Sequence, residues 1–321
     1  MTTQPETSMI RPSHWTDFTG QPQVVKSLQI AIQAAKSREE PMEHTLLYGP
    51  PGLGKTTLAH IIANEMGVNL KVTSGPALTR AGDLASILTA LEPGDVLFID
   101  EIHRLNKPVE EALYPAMEDF AIDIILGKGP AAKNLRLDLN PFTLIGATTQ
   151  AGRISSPLRD RFGIVHRLRF YEPSDLKGII LKASKKLNLK LDDDSALEIA
   201  KRSRGTARIA LKLLRRVRDF NLVEHDSKSS IDITIKSLDF YEVDNEGLDA
   251  TDRHLLEAII TQHGGGPVGL ETLAALISES VDTISDLYEP FLMQSGFLSK
   301  TSRGRVATDK AYSHLGKTKP K

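Results

Sequence analysis

Gly49-Pro-Pro-Gly-Leu-Gly-Lys-Thr56 decides the fold. It fits the phosphate-loop pattern G-x-x-x-x-G-K-[ST], and its flanks supply the context that pattern needs. The apolar run His44-Thr-Leu-Leu-Tyr48 precedes it, and a helical pattern from Thr56 to Met66 follows, with Leu58, Ile61, Ile62 and Met66 along one face. The glycines let backbone amides approach phosphate oxygens, and the helix amino terminus adds its partial positive charge. Gly52, Gly54, Lys55, Thr56 and Thr57 are therefore candidate nucleotide ligands, with Lys55 reaching the β- and γ-phosphates and the Thr56 hydroxyl binding Mg²⁺.

Further short β-prone runs lie at Leu70-Lys-Val-Thr73, Val96-Leu-Phe-Ile99, Phe142 to Ala147 and Ile164 to Phe170. Each is bounded by Gly, Pro or Asp, as buried strands of a parallel sheet are, and strand–helix alternation implies right-handed crossovers. The run at 96–99 delivers Asp100 and Glu101 at its carboxyl end, where ligands bind in open α/β sheets. Asp100 suits a magnesium shell, and Glu101 can orient or deprotonate an attacking water. Hydrolysis also needs cations to stabilise developing charge, and the candidates are Arg159, Arg161 and Arg208.

After Tyr171 the pattern turns helical, at about 174–186, 194–203 and 206–220, with Ser174 and Asp194 as expected caps. The polar, acidic stretch Asp244 to Asp252 reads as a linker. Beyond it come three helical patterns (251–262, 270–277, 282–294), then Phe297 to Thr308, where Ser302-Arg303-Gly304 can turn a two-stranded ribbon. Three helices and a hairpin outline a winged helix. The expected division is 1–171, 172–243 and 244–321.

The 321 residues carry 40 Lys plus Arg against 41 Asp plus Glu, so net charge says nothing about partners. The absence of cysteine excludes disulfides, thiolate nucleophiles and iron–sulfur clusters, and fits a reducing compartment. With no apolar leader and no apolar run of about 20 residues, the expectation is a cytoplasmic, multidomain protein.

The phosphate loop, Asp100-Glu-Ile-His-Arg104, Gly146-Ala-Thr-Thr149, Ser156-Pro-Leu-Arg-Asp-Arg-Phe-Gly163 and Gly205-Thr-Ala-Arg208 together resemble an AAA+ ATPase. Ile10-Arg-Pro12, Gly20-Gln-Pro-Gln23, Leu113-Tyr-Pro-Ala-Met-Glu-Asp119, Gly127-Lys-Gly-Pro130, Leu213 to Asp219 and Gly265-Gly-Pro-Val-Gly-Leu270 narrow the resemblance to the RuvB family, motors of bacterial Holliday-junction branch migration, over residues 10–315. The resemblance implies a parallel-sheet P-loop domain, a small helical lid and a carboxyl-terminal winged helix. It implies ATP and Mg²⁺ as cofactors, a homo-hexameric ring, duplex DNA at Holliday junctions, RuvA as partner through a hairpin at 121–139, and RuvC as a further partner. Position by position, Thr149 matches the polar sensor, with Thr148 as alternative. Arg161 matches the arginine finger donated to a neighbour's ATP, with Arg159 as alternative. Arg208 matches the second sensor. Ile10, Arg11 and Tyr171 match the adenine-side pocket, and Glu118, Asp119 and Phe120 the nucleotide-contacting segment. One departure is Gln150, where the resemblance leads to an arginine.

Two tracts are basic. Residues 201–218 hold eight cations (Lys201, Arg202, Arg204, Arg208, Lys212, Arg215, Arg216, Arg218) with no acid between them, and read as a solvated helix face. The second tract lies on the expected wing, where Lys300, Arg303 and Arg305 can meet DNA phosphates without reading sequence. The competing function is an ATP-dependent loader or initiator that binds DNA without translocating.

Overall fold

The computed structural model describes residues 10–126, 133–225 and 229–319. Its backbone divides into two compact units, Met1–Leu189 with Gly205–Leu211, and Lys190–Arg204 with Lys212–Lys321.

The first unit is built on five parallel strands in the order β2-β3-β6-β1-β7: β1 (Thr45–Tyr48), β2 (Leu70–Ser74), β3 (Val96–Asp100), β6 (Thr143–Thr148) and β7 (Ile164–Arg167). The three central strands are the continuous apolar runs of the sequence; β6 is buried from end to end. The edge strands leave Val72 and Val165 exposed, as strands covered on one face do. Helices α1 (Pro22–Arg38), α2 (Lys55–Met66), α3 (Ala81–Leu88) and α4 (Lys107–Glu118) cover the sheet. Leu84 and Leu88 of α3 and Val109, Leu113 and Ala116 of α4 pack with Leu97, Ile99 and Phe142 in one core. Strand β7 ends three residues short of the expected run because its partner β1 gives way to the phosphate loop at Gly49.

The hairpin expected at 121–139 forms as β4 (Ala121–Leu126) and β5 (Lys133–Asp138), antiparallel, with Ala121 opposite Asp138. Its Gly127-Lys-Gly-Pro130 turn lies outside the described residues. A short α5 (Ser156–Arg159) and α6 (Pro173–Lys186) follow. Ser174 does not cap α6: Pro173, with φ fixed and no N–H to lose, occupies the first helical position and pushes the start back to Glu172.

In the second unit, α7 (Asp193–Lys201) is capped by Asp192, not Asp194, because only Asp192 reaches the Ser195 amide, at 2.8 Å. Helix α8 (Ala207–Glu224), counted with the first unit up to Leu211, runs longer than expected, and α9 (Ile231–Phe240), which the sequence reading missed, is capped by Ser230. Then come α10 (Ala250–His263), α11 (Leu270–Ile277), α12 (Val281–Thr283) continuing through a π turn into α13 (Glu289–Gln294), the antiparallel ribbon β8 (Leu298–Thr301) and β9 (Gly304–Ala307), and α14 (Asp309–His314). Leu255, Leu256, Leu273, Leu292 and Phe297 centre its core.

The stretch 244–252 is not a loose linker. Asp244 accepts from the amides of Glu246 and Leu248 and pairs with Arg253 and His314. Asp249 and Asp252 form a capping box at the start of α10. Asp252 is fully buried, 2.5 Å from Arg204. Arg204 also bonds Asp249 and the Gly247 carbonyl and lies over the Phe291 ring at 4.7 Å. Arg202 is buried against Glu198, Asp239 and the Val243 carbonyl. Two cations of the supposedly solvated tract thus form an internal ionic joint.

Among the described residues no helix is long and apolar enough to cross a membrane.

Candidate nucleotide site and nucleic-acid surface

The loop between β1 and α2 wraps a cavity of about 270 Å³. Gly52 and Gly54 adopt left-handed backbone, φ +80° and +97°, which L side chains rarely adopt. A Cβ on Gly52 would also lie 2.9 Å from the Arg208 Cβ. Gly54 is the N-cap of α2 and supplies no side-chain acceptor, so the first amides of the helix are left for an anion. The buried Lys55 Nζ donates to the carbonyls of Gly49 (2.7 Å) and Pro50 (2.9 Å). Burial holds its pKa below the ordinary lysine value, against the pull of Asp100 and Glu101.

Arg11, Gly52, Gly54, Lys55, Thr56, Thr57, Asp100, Glu101, Thr149 and Arg208 all line this cavity. Strand β3 delivers Asp100, whose Oδ1 accepts from the Glu101 amide at 3.0 Å. Strand β6 delivers Thr149, whose hydroxyl donates to Glu101 Oε2 at 3.3 Å. The alternative sensor Thr148 is fully buried and does not line the cavity; its hydroxyl meets His103 Nδ1 at 2.9 Å. Among the described residues no cluster of three or more His, Cys, Asp or Glu could hold a metal alone. Thr56 and Asp100, the expected metal ligands, both line the cavity, and so few protein oxygens suit an ion that keeps much of its water.

Ile10 is buried and Arg11 contacts His60 at 2.8 Å. Tyr171 is buried, donates to the Leu53 carbonyl at 2.9 Å, and has its pKa raised chiefly by burial. Ile10 and Tyr171 do not line the cavity, nor do Glu118, Asp119, Phe120, Arg159 and Arg161. Glu118 and Asp119 lie at the carboxyl end of α4, where Asp119 pairs with Arg136 at 2.8 Å. Phe120 stacks edge-on with Phe142. Arg161 is held by Glu118 (3.1 Å), by the Pro157 carbonyl (2.6 Å) and over the Tyr114 ring (4.3 Å), leaving its Nε buried without a partner. Tyr114 in turn donates to Glu110, which also accepts from Ser155. Sequence reading missed this aromatic platform; its only local signal is the i, i+4 spacing of Tyr114 and Glu118.

On the wing, Lys300 faces Arg305 across the ribbon, and Ser302-Arg303 make the turn. Arg305 departs from expectation: it forks onto Glu289 at 2.6 and 3.1 Å and is largely buried. Its backbone also exchanges both hydrogen bonds with Val268. Lys300 and Arg303 are exposed, and among the described residues no carboxylate lies within ion-pair distance of either.

A parallel sheet bearing a phosphate loop, an Asp-Glu pair and a polar strand-end threonine, with a winged helix further along the chain, defines an AAA+ ATPase equipped with a DNA-binding fold. Family models place it more closely. Residues 10–168 match the P-loop domain of the Holliday junction DNA helicase RuvB, residues 171–244 the RuvB AAA lid domain, and residues 245–316 the RuvB winged-helix domain. The chain belongs to the RuvB family. It is similar to the Thermotoga maritima RuvB Holliday junction branch migration motor, at 52% identity over 97% of this chain and 100% of that one, with a TM-score of 0.87. A single-site mutant of that protein matches at 53% identity, with the same coverage and a TM-score of 0.88.

Proposed function

We propose that this ATPase drives branch migration of Holliday junctions in the cytoplasm as a homo-hexameric ring, with RuvA, and with RuvC as a further partner. The observation that carries the reading is the split between Arg208 and Arg161. Arg208 lines its own cavity, whereas Arg161 is braced outside it by Glu118 and Tyr114. A guanidinium so placed serves the nucleotide of an adjacent subunit, so the catalytic unit is an interface.

The cavity lining supports roles for Arg11, Lys55, Thr56, Asp100, Glu101, Thr149 and Arg208, and the family resemblance supplies the rest. Helix α2 and Lys55 bind the phosphates, and Arg11, Ile10 and Tyr171 form the adenine side. Thr56 and Asp100 would hold Mg²⁺, which would supply charge neutralisation. Glu101 orients the attacking water and accepts its proton, Thr149 and Arg208 sense the γ-phosphate, and Arg161 of the neighbour stabilises the charge that develops. Glu118, Asp119 and Phe120 belong to the donating face. Loss of the γ-phosphate contacts releases the lid, residues 172–243, from the large domain, residues 1–171, and the head, residues 244–321, carries DNA. Lys300 and Arg303 meet the DNA backbone; Arg305 shapes the wing through Glu289. The paired strands β4 and β5, with Leu135 exposed on β5, support the hairpin as the RuvA dock.

The test is branch migration of a synthetic four-way junction with and without RuvA. ATP-dependent strand exchange is expected. ATP hydrolysis without strand exchange would instead identify a loader.

A further inference from the structure

We propose that His103 is a positioning residue for ATP hydrolysis: it fixes the Glu101 carboxylate in the orientation from which Glu101 meets water. The inference rests on the role given to Glu101 above.

Glu101 leaves β3 with left-handed backbone, φ +49°, a conformation that non-glycine residues seldom adopt. The turn that follows, Ile102–Arg104, brings His103 back under it. The His103 side chain is only 4% exposed, and Nδ1 lies 3.2 Å from Glu101 Oε2. A bare lone pair on Nδ1 would be repelled by the carboxylate at that separation, so we assign the hydrogen to Nδ1, where it is shared between Glu101 Oε2 and the closer Thr148 Oγ1. Thr148 Oγ1 lies 2.9 Å from the same nitrogen and itself accepts from the Gln150 amide at 2.9 Å. Thr149 donates to the same Oε2. Oε2 is thus held from β6 and from the turn after β3. Oε1 takes no hydrogen bond from the described residues, which leaves it to accept from a water. The other charged residues lining the cavity are Arg11, Lys55, Asp100 and Arg208. None of them grips Oε2.

A histidine that merely filled space would tolerate any side chain of similar volume. A positioning histidine needs a polar atom where Nδ1 sits. Asparagine presents one at that distance from the backbone; leucine presents none, and glutamine places it one bond further out. The experiment measures steady-state ATP hydrolysis by the full chain on junction DNA, with RuvA, alongside thermal unfolding. For His103→Leu, kcat is expected to fall about 10- to 100-fold with KM within about threefold and Tm unchanged. His103→Asn should recover most of the loss and His103→Gln little. Adding His103→Leu to Glu101→Gln should cost nothing further, since the two act through one carboxylate.

Parental kcat in His103→Leu overturns the proposal. So does a loss shared equally by leucine and asparagine, a loss that follows Tm, or an additional loss in the Glu101→Gln background. Failure here is separable from failure of the parent reading: Glu101→Gln hydrolysing ATP at the parental rate would remove the role of Glu101 itself.

Discussion

Lys55 is a buried cation and Arg204 a largely buried one, and the fold treats them in opposite ways. Around Lys55 there are two backbone carbonyls and, among the described residues, no carboxylate within ion-pair distance. Around Arg204 there are Asp249, Asp252, the Gly247 carbonyl and the ring of Phe291. Burying an ammonium without its counter-charge is costly, and the cost shows as the lowered pKa of Lys55. The missing counter-charge at Lys55 is what a triphosphate brings; at Arg204 nothing is missing. The same contrast divides the wing, where Arg305 has Glu289 while Lys300 and Arg303 have no acid among the described residues within ion-pair distance. A dense run of cations therefore says little about function until its acids have been located.

If the contrast is right, removing an uncompensated cation costs function, and removing a compensated one costs stability. The largest functional effect is expected for Lys55→Ala: ATP turnover should drop at least ~100-fold while the unfolding midpoint holds or rises, since a buried uncompensated charge has gone. Calorimetry and a turnover assay on one preparation check both halves. For Arg204→Ala the pattern inverts. Leaving Asp249 and Asp252 unpaired should destabilise the lid–head joint by about 3–5 kcal/mol, seen in denaturant unfolding, with binding of a fluorescent ATP analogue retained.

A smaller effect separates the two wing arginines. Arg303→Ala should weaken duplex binding and shallow the log–log salt dependence by about 0.9, the signature of one lost phosphate contact. Arg305→Ala should lower thermal stability and leave that slope unchanged. Equal slopes for both variants would break the distinction. The smallest effect is one of pH. Burial first, with Asp249 adding, pushes the Asp252 carboxyl up to about 7 even though Arg204 pulls it down. The folded state therefore holds this proton more tightly than the unfolded chain does. That contribution is fully present below the ordinary carboxylate value of 3.8 and is lost as pH rises from there through about 7, so the unfolding midpoint should decline across that interval. Asp252→Asn should flatten the decline, by about 2–4 °C.

The nucleotide cavity was legible because its chemistry is local. A phosphate loop needs its glycines, lysine and hydroxyl in one tract, and the Asp-Glu pair sits where a buried strand must end. Thr149 and Arg208 come from other tracts, and their resemblance to family motifs placed them where spacing alone could not. The joint was illegible for the opposite reason. Asp249 and Asp252 look solvated in sequence because their partner Arg204 lies 45 and 48 residues away. Arg305 looked free because Glu289 sits 16 residues earlier, on a different element. His103 escaped notice because a turn that is neither helix nor strand carries no periodicity to show that it folds back on Glu101.

The central claim, that one subunit's ATP is cleaved with another subunit's arginine, is tested most directly by mixing two inactive variants. Lys55→Ala retains Arg161 but has no working cavity, and Arg161→Ala retains the cavity but cannot serve a neighbour. Each alone should be inactive, and Arg161→Ala should still bind ATP. In an equal mixture about one quarter of the interfaces pair an intact cavity with an intact Arg161, so hydrolysis should reappear at a corresponding fraction of the parental rate. A mixture as inactive as its components, or Arg161→Ala alone turning over ATP at the parental rate, would contradict the account.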